Sequence, residues 1–205
     1  MNGYEHRLRT LYDLGCQVVD NLGLGHQALQ QALQGLLPLV DARGGALFLW
    51  EDGTPSLSQQ VGLTPAEEAG LVRQVSAEGP LAQVIHEGVP LRLDHWSPDG
   101  EASESRPALL AVPLAAGPRL LGALYLVGRR GAEAADQPLP FTSEDEALAR
   151  TFALTLALAL ENAHLQEQNQ ANFLQKALLY EMTTTISATL DIGQVLRMVS
   201  ERLAR

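Results

Sequence analysis

Apolar positions in the first forty residues fall at helical intervals. Leu8, Leu11, Leu14 or Cys16, Val18, Val19 and Leu22 form one series, and Ala28, Leu29, Ala32, Leu33, Leu36 and Leu37 form a second. Gly23 and Gly25 lie between them, so the stretch from Glu5 to Asp41 predicts two helices with a break. The pattern then changes. Ala46-Leu47-Phe48-Leu49-Trp50 is a short apolar run closed by Asp52-Gly53, the signature of a strand entering a hairpin, with Leu57 to Leu63 as its weaker partner. Thr64-Pro65-Ala66-Glu67 predicts a helix start, with Thr64 as N-cap, Pro65 in the first turn and Glu67 completing a capping box. Pro80 to Glu87 predicts a second short helix stopped by Gly88, followed by a strand from Val89 to Leu93. Ser97 to Pro107, rich in Ser, Pro, Gly and acid, predicts a mobile loop.

Two apolar strands are expected next, Ala108 to Leu114 and Leu120 to Val127, joined by Ala115 to Arg119. Neither alternates cleanly, and strands apolar on both faces are normally covered on both. After a loop from Gly128 to Pro140, Phe141-Thr142-Ser143-Glu144-Asp145 sets a capping hydroxyl before an acidic first turn. From Phe141 to Ile192 there is neither Gly nor Pro, which predicts one helix of about 75 Å at 1.5 Å per residue. That exceeds a small domain, so its far part must leave the body or meet another chain.

A weak repeat bears on domain number. Leu11-Tyr12-Asp13-Leu14 reappears as Leu179-Tyr180-Glu181-Met182, and Leu22 and Leu24-Gly25 as Leu190 and Ile192-Gly193. The offset of 168 residues suits tandem domains. We therefore expect a domain at 5–166, a coiled-coil-like linker at 167–182, and the first helix of a second, truncated domain at 183–205.

Composition narrows the chemistry. Hydrophobic residues make up 46% of the 205 and the net charge is −10, which predicts a packed core and argues against a nucleic-acid surface. Among 14 basic residues Lys176 alone is lysine, and it sits in a helical stretch, so a Walker-type phosphate loop or a Schiff base has no lysine to use. Cys16 is the sole cysteine, which excludes an internal disulfide and a thiolate metal cluster. No run of some 18 apolar residues spans a membrane, and the N-terminus lacks a signal-peptide core, so a cytoplasmic location is expected.

Four segments in order resemble one family, the GAF domains: Gly79-Pro80-Leu81-Ala82-Gln83-Val84-Ile85-His86-Glu87-Gly88 running on to Asp94; Leu109-Leu110-Ala111-Val112-Pro113-Leu114; Leu121-Gly122-Ala123-Leu124-Tyr125-Leu126; and Phe141-Thr142-Ser143-Glu144-Asp145 leading to Leu160-Glu161-Asn162-Ala163. Together they cover most of residues 8 to 166. The resemblance implies an α+β, PAS-like fold with a central antiparallel sheet. First and last helices would pack on one face, short helices and loops would wall a small-molecule pocket on the other, and a long C-terminal helix would signal onward.

Members of that family variously bind cyclic nucleotides, tetrapyrroles, haem or iron, or nothing. The bilin-attachment Cys is missing from Ser97 to Pro107, the Asn-Lys-Phe-Asp-Glu pattern of cyclic-nucleotide relatives is missing, and His6, His26, His86, His95 and His164 form no metal-helix spacing. The cofactor is thus left unnamed, with no clear haem or metal site. Gly23-Leu24-Gly25 follows a helical stretch and not a strand, so it is no dinucleotide fingerprint. Candidate pocket residues are Phe48, Trp50, Ile85, Leu93, Trp96, Arg106, Val112 and Tyr125, set against the plainer role of sheet packing for the aromatics and of a solvated surface for Arg92 and Arg106.

Function is expected to be sensory or regulatory, through a small molecule or through homodimerisation, with the signal carried along the last helix to an output domain beyond Arg205. The dimer seam would carry Leu154, Leu158, Leu165, Leu179 and Met182, with the polar Gln166 to Gln170 between. A ligand-free dimerisation module is the alternative. An enzyme akin to free-methionine-R-sulfoxide reductases is disfavoured, because that chemistry needs two cysteines. No GxSxG or phosphate loop offers another route.

Overall fold

The computed structural model describes residues 7, 9–10, 26–51, 53–100, 106–130 and 139–203. Two compact units divide the chain, Met1–Glu161 and Asn162–Arg205. The expected first helix, with Cys16, the Gly23–Gly25 break and the first copy of the repeat, lies outside the described residues apart from Arg7, Arg9 and Thr10, which are helical.

In the first unit, helix α1 (His26–Leu36) buries Ala28, Leu29, Ala32, Leu33 and Leu36, the periodic face read from the sequence. Strand β1 (Ala42–Glu51) pairs antiparallel with β2 (Thr54–Val61), closing at Glu51↔Thr54 with Gly53 in the left-handed region at φ 81°. The hairpin is as expected. Its first strand begins four residues early, because Gly44 and Gly45 join the ladder instead of opening it, and β2 is offset towards the turn.

Helix α2 (Pro65–Ser76) starts on the anticipated capping box: the Thr64 hydroxyl accepts from the Glu67 N–H at 3.3 Å and the Glu67 carboxylate accepts from the Thr64 N–H at 2.9 Å. Helix α3 (Pro80–Glu87) has the predicted bounds, and Gly88 ends it in the left-handed region at φ 72°. Strand β3 (Leu91–Leu93) is shorter than expected, pairing only through Leu91↔Ala111 to Leu93↔Leu109. Strands β4 (Leu109–Ala116) and β5 (Arg119–Arg129) run closer together than read, since Ala116↔Arg119 leaves only Gly117-Pro118 as the turn.

The sheet order is β2-β1-β5-β4-β3, antiparallel throughout. Both faces are covered, as apolar strands require. On one face Leu47, Leu110, Val112, Leu114, Leu124 and Leu126 meet α1 and the first turns of helix α4 (Ser143–Leu203), through Leu148, Phe152, Leu156 and their alanine neighbours. On the other, Ala46, Phe48, Leu109, Ala111, Ala123, Tyr125 and Val127 meet Leu71 and Val75 of α2 and Leu81, Val84 and Ile85 of α3.

Helix α4 begins on a second capping box, in which the Thr142 N–H donates to Asp145 Oδ2 at 2.8 Å and the Thr142 hydroxyl accepts from the Asp145 N–H at 3.2 Å. It does not stop at Ile192 as predicted but continues through Gly193 to Leu203. One glycine costs a helix about 1 kcal/mol, too little to end it by itself. The second unit consists of this helix from Asn162 onward, and Leu165, Phe173, Leu174, Leu178, Leu179, Tyr180 and Met182 are all exposed on it. Among the described residues no helix is long and apolar enough to cross a membrane.

Candidate functional site

The face of the sheet beneath α2 and α3 gathers most of the candidate pocket residues. Alternation along β1 and β5 points Phe48 and Tyr125 into it, and their rings meet edge to face with centroids 5.4 Å apart. The Tyr125 hydroxyl donates to the Leu81 carbonyl at 2.8 Å, and burial pushes its phenol well above the usual value. Ile85 is fully buried in the same layer, while Trp50 and Leu93 pack against it half-buried. Trp50 also touches the ring of His86 edge to face at 5.1 Å.

Val112 is a correction. It lies in the opposite layer with Leu110 and Leu114, because inward and outward positions alternate along β4 and the residues facing α2 and α3 are Leu109 and Ala111. Arg106 is half-buried at the end of the loop before β4.

The loop expected to be mobile is tied down at its start. Trp96 is buried, its backbone N–H donates to the Pro107 carbonyl at 2.8 Å, and its indole N–H donates to Gln74 Oε1 at 2.9 Å. The Gln74 amide returns two hydrogen bonds, to the carbonyls of Ser97 at 2.8 Å and Pro98 at 3.0 Å. Helix α2 and this strap approach so closely that a Cβ on Gly70 would sit 2.5 Å from Pro98 Cα. Residues 101–105 of the loop lie outside the described part. Gln74 was not singled out from sequence. Its spacing from Glu67, Gly70 and Leu71, all buried, is the signal that places it on the inward face of α2.

Two ion pairs brace one end of the sheet, where Ala42 pairs with Arg129. Arg43 of β1 binds Glu67 at the start of α2, and Arg129 Nε of β5 binds Asp145 Oδ2 at the start of α4 at 2.7 Å. Burial alone would raise the Glu67 carboxyl. Hydrogen bonds from Arg43 and from the backbone and side chain of Thr64, with the Arg43 charge, outweigh it and hold the group below its ordinary value. Arg92 of β3 also reaches Glu146 of α4 at 3.1 Å.

An open groove of about 450 Å³ lies between the end of α2 and α3, lined by Ser76, Glu78, Gly79, Ala82, Gln83 and His86 among others. None of the candidate pocket residues borders it, and of the five histidines weighed from sequence only His86 does. Among the described residues no group of three His, Cys, Asp or Glu side chains is placed to hold a metal ion. What the site offers chemically is an aromatic, apolar layer whose polar groups, Tyr125, Trp96 and Gln74, bond inward.

The seam candidates divide between the units. Leu154 and Leu158 are 51% and 49% exposed although Phe152 and Leu156 beside them are buried. Leu165, Leu179 and Met182 are exposed on the second unit.

The model of the GAF domain family matches residues 25–160. The chain is similar in fold to the GAF domain of an assigned sensor histidine kinase from Pseudomonas syringae pv. tomato, at 24% identity and a TM-score of 0.56, covering 82% of this chain and 94% of that one. It is similar likewise to the GAF domain of a phosphoenolpyruvate-protein phosphotransferase from Coxiella burnetii, at 20% identity and a TM-score of 0.55, covering 82% and 99%. A third is the second GAF domain of DevS from Mycobacterium smegmatis, at 24% identity and 0.50, covering 68% and 94%.

Proposed function

Because the chain belongs to the GAF domain family, we propose that it is a sensory or regulatory module whose α4 carries a change of state to an output domain further along the polypeptide. The observation that carries this reading is the double use of α4. Leu148, Phe152 and Leu156 pack on the sheet, while Leu154 and Leu158 of the same turns stay exposed, and the helix runs on to Leu203. A helix that is at once part of a core and unsatisfied on its outer face supports homodimerisation, with Leu165, Leu179 and Met182 extending the seam. Residues 183–205 are then the opening helix of a second domain of the same kind, as the repeat of Leu179 to Gly193 implies. The structural relatives include domains of a sensor kinase and of a phosphotransferase, which favours a regulatory role over catalysis.

The input is a small molecule held against Phe48, Trp50, Ile85, Leu93, Trp96 and Tyr125, with Arg106 at the rim. Native mass and an absorption spectrum of the purified protein test this half: added mass or a visible band supports it, and an apo mass under all growth conditions refutes it in favour of a ligand-free dimerisation module. For the other half, Leu165→Cys in a Cys16→Ser background should oxidise to a covalent dimer. Its failure to cross-link would remove the pairing.

A further inference from the structure

We infer that α4 between Leu165 and Met182 recognises a second copy of this chain laid parallel and in register, and that Asn172 is the residue that specifies this alignment. The inference rests on the pairing proposed above and adds what selects the partner and its direction. Leu165, Asn172 and Leu179 are seven residues apart. So are Gln168, Gln175 and Met182, offset by three, and together the two series make the two seam positions of a heptad. All six are exposed on the helix.

Three adjacent seam layers, Gln168, Asn172 and Gln175, are amides. An amide offers a donor and an acceptor at once, so its natural partner in a desolvated layer is another amide. In a parallel, in-register pair every layer meets its own kind: Leu165 with Leu165, Asn172 with Asn172, Leu179 with Leu179. In an antiparallel pair the two seam positions face each other instead. Setting Asn172 against Gln175 of the other copy then brings Leu165 to Met182 but forces Leu179 against Gln168, leaving amide groups opposite an apolar side chain.

Charge points to the same partner. From Leu165 to Met182, Lys176 is the only charged side chain at the seam or its flanking positions, because Glu167 and Glu181 fall on the outer face. A chain of net charge −10 would otherwise repel its own copy. Gln168 already shares its amide with His164, Nε2 to Nε2 at 2.7 Å, and Asn172 stands at the middle of the polar block.

The test uses the full 205-residue chain with Cys16→Ser, mixing copies that carry Leu165→Cys with copies that carry Met182→Cys under oxidation. Parallel pairing yields 165–165 and 182–182 disulfides, and antiparallel pairing yields 165–182 disulfides. With Asn172 intact we expect 165–165 and 182–182 products, no 165–182 product, and a dimer mass at sedimentation equilibrium. Asn172→Leu should lower the dimer dissociation constant by about tenfold while 165–182 products and masses above the dimer appear. If Asn172→Leu yields no 165–182 product and stays at dimer mass, Asn172 specifies nothing, although the pairing stands. If the parent chain is monomeric and yields no disulfide, the inference and the pairing fall together.

Discussion

Removing the Asp145 carboxylate should cost the first unit far more than its surface count of one ion pair implies. Asp145 is 1% exposed, and its Oδ2 accepts from Arg129 Nε at 2.7 Å, from the Thr142 N–H at 2.8 Å and from the Thr142 hydroxyl at 2.8 Å. Asp145→Ala leaves a guanidinium that is itself only 21% exposed without its anion, and undoes the cap of α4. Breaking a buried pair from one side costs about 3–5 kcal/mol, a large share of the roughly 5–15 kcal/mol that holds a domain folded. For a unit of this size that corresponds to a melting-temperature drop of about 6–20 °C.

Arg119 and Glu161 supply the control. Their two contacts are equally short, 3.0 Å each, but Arg119 is 53% exposed, so Glu161→Ala should cost only about 0.2–1 kcal/mol. Urea unfolding followed by the fluorescence of Trp50 and Trp96 measures all of these. Adding Arg129→Ala to Asp145→Ala should recover part of the loss, since the double variant buries no lone charge. An Asp145→Ala loss below 1 kcal/mol, level with Glu161→Ala, would show that desolvation is not what distinguishes the two pairs.

Three further outcomes follow from the same contacts. Because the fold holds the Glu67 carboxyl below its ordinary value of 4.5, its contribution is complete above that pH and is lost as pH falls through the folded value. The stability gap between the parent and Glu67→Gln should therefore be flat near neutrality and narrow on acidification, and a gap that widens contradicts the assignment. Gln74→Leu strips the indole N–H of Trp96 and two carbonyls of their partner, for about 1–3 kcal/mol. Trp96 emission should shift to the red, and unchanged emission with unchanged stability argues against the strap. Gly70→Ala drives a Cβ to within 2.5 Å of Pro98 Cα, so it should destabilise by about 1–3 kcal/mol and free the same tryptophan. A neutral result in differential scanning calorimetry would mean that the strap yields at no cost.

Elements governed by neighbours in sequence are legible in the sequence itself. Thr64 with Glu67, Gly88 and Gly53 each act within about four residues, so α2, α3 and the first hairpin fall where local chemistry puts them. The candidate site was legible in composition but not in phase. In β4 every residue from Leu109 to Leu114 is apolar or proline, so no polar position marks which side faces α2 and α3, and Val112 was assigned to the wrong layer. The ties of Trp96 to Gln74, 22 residues away, and of Arg129 to Asp145, 16 away, depend on tertiary placement that periodicity does not carry. Gly193 misled in the other direction, since a single weak breaker did not end α4.

The sheet works as a partition between two dissimilar interiors. Leucines fill the side that meets α1 and α4, whereas alanines alternate with large aromatics on the side that meets α2 and α3. Between Leu120 and Val127 only the Tyr125 hydroxyl is polar, so volume does most to keep the layers apart: shifting β5 by one residue would push Leu124 into space shaped for Tyr125. Bulk can therefore be exchanged within the aromatic compartment, enlarging or closing it, while the side that meets α1 and α4 keeps its packing.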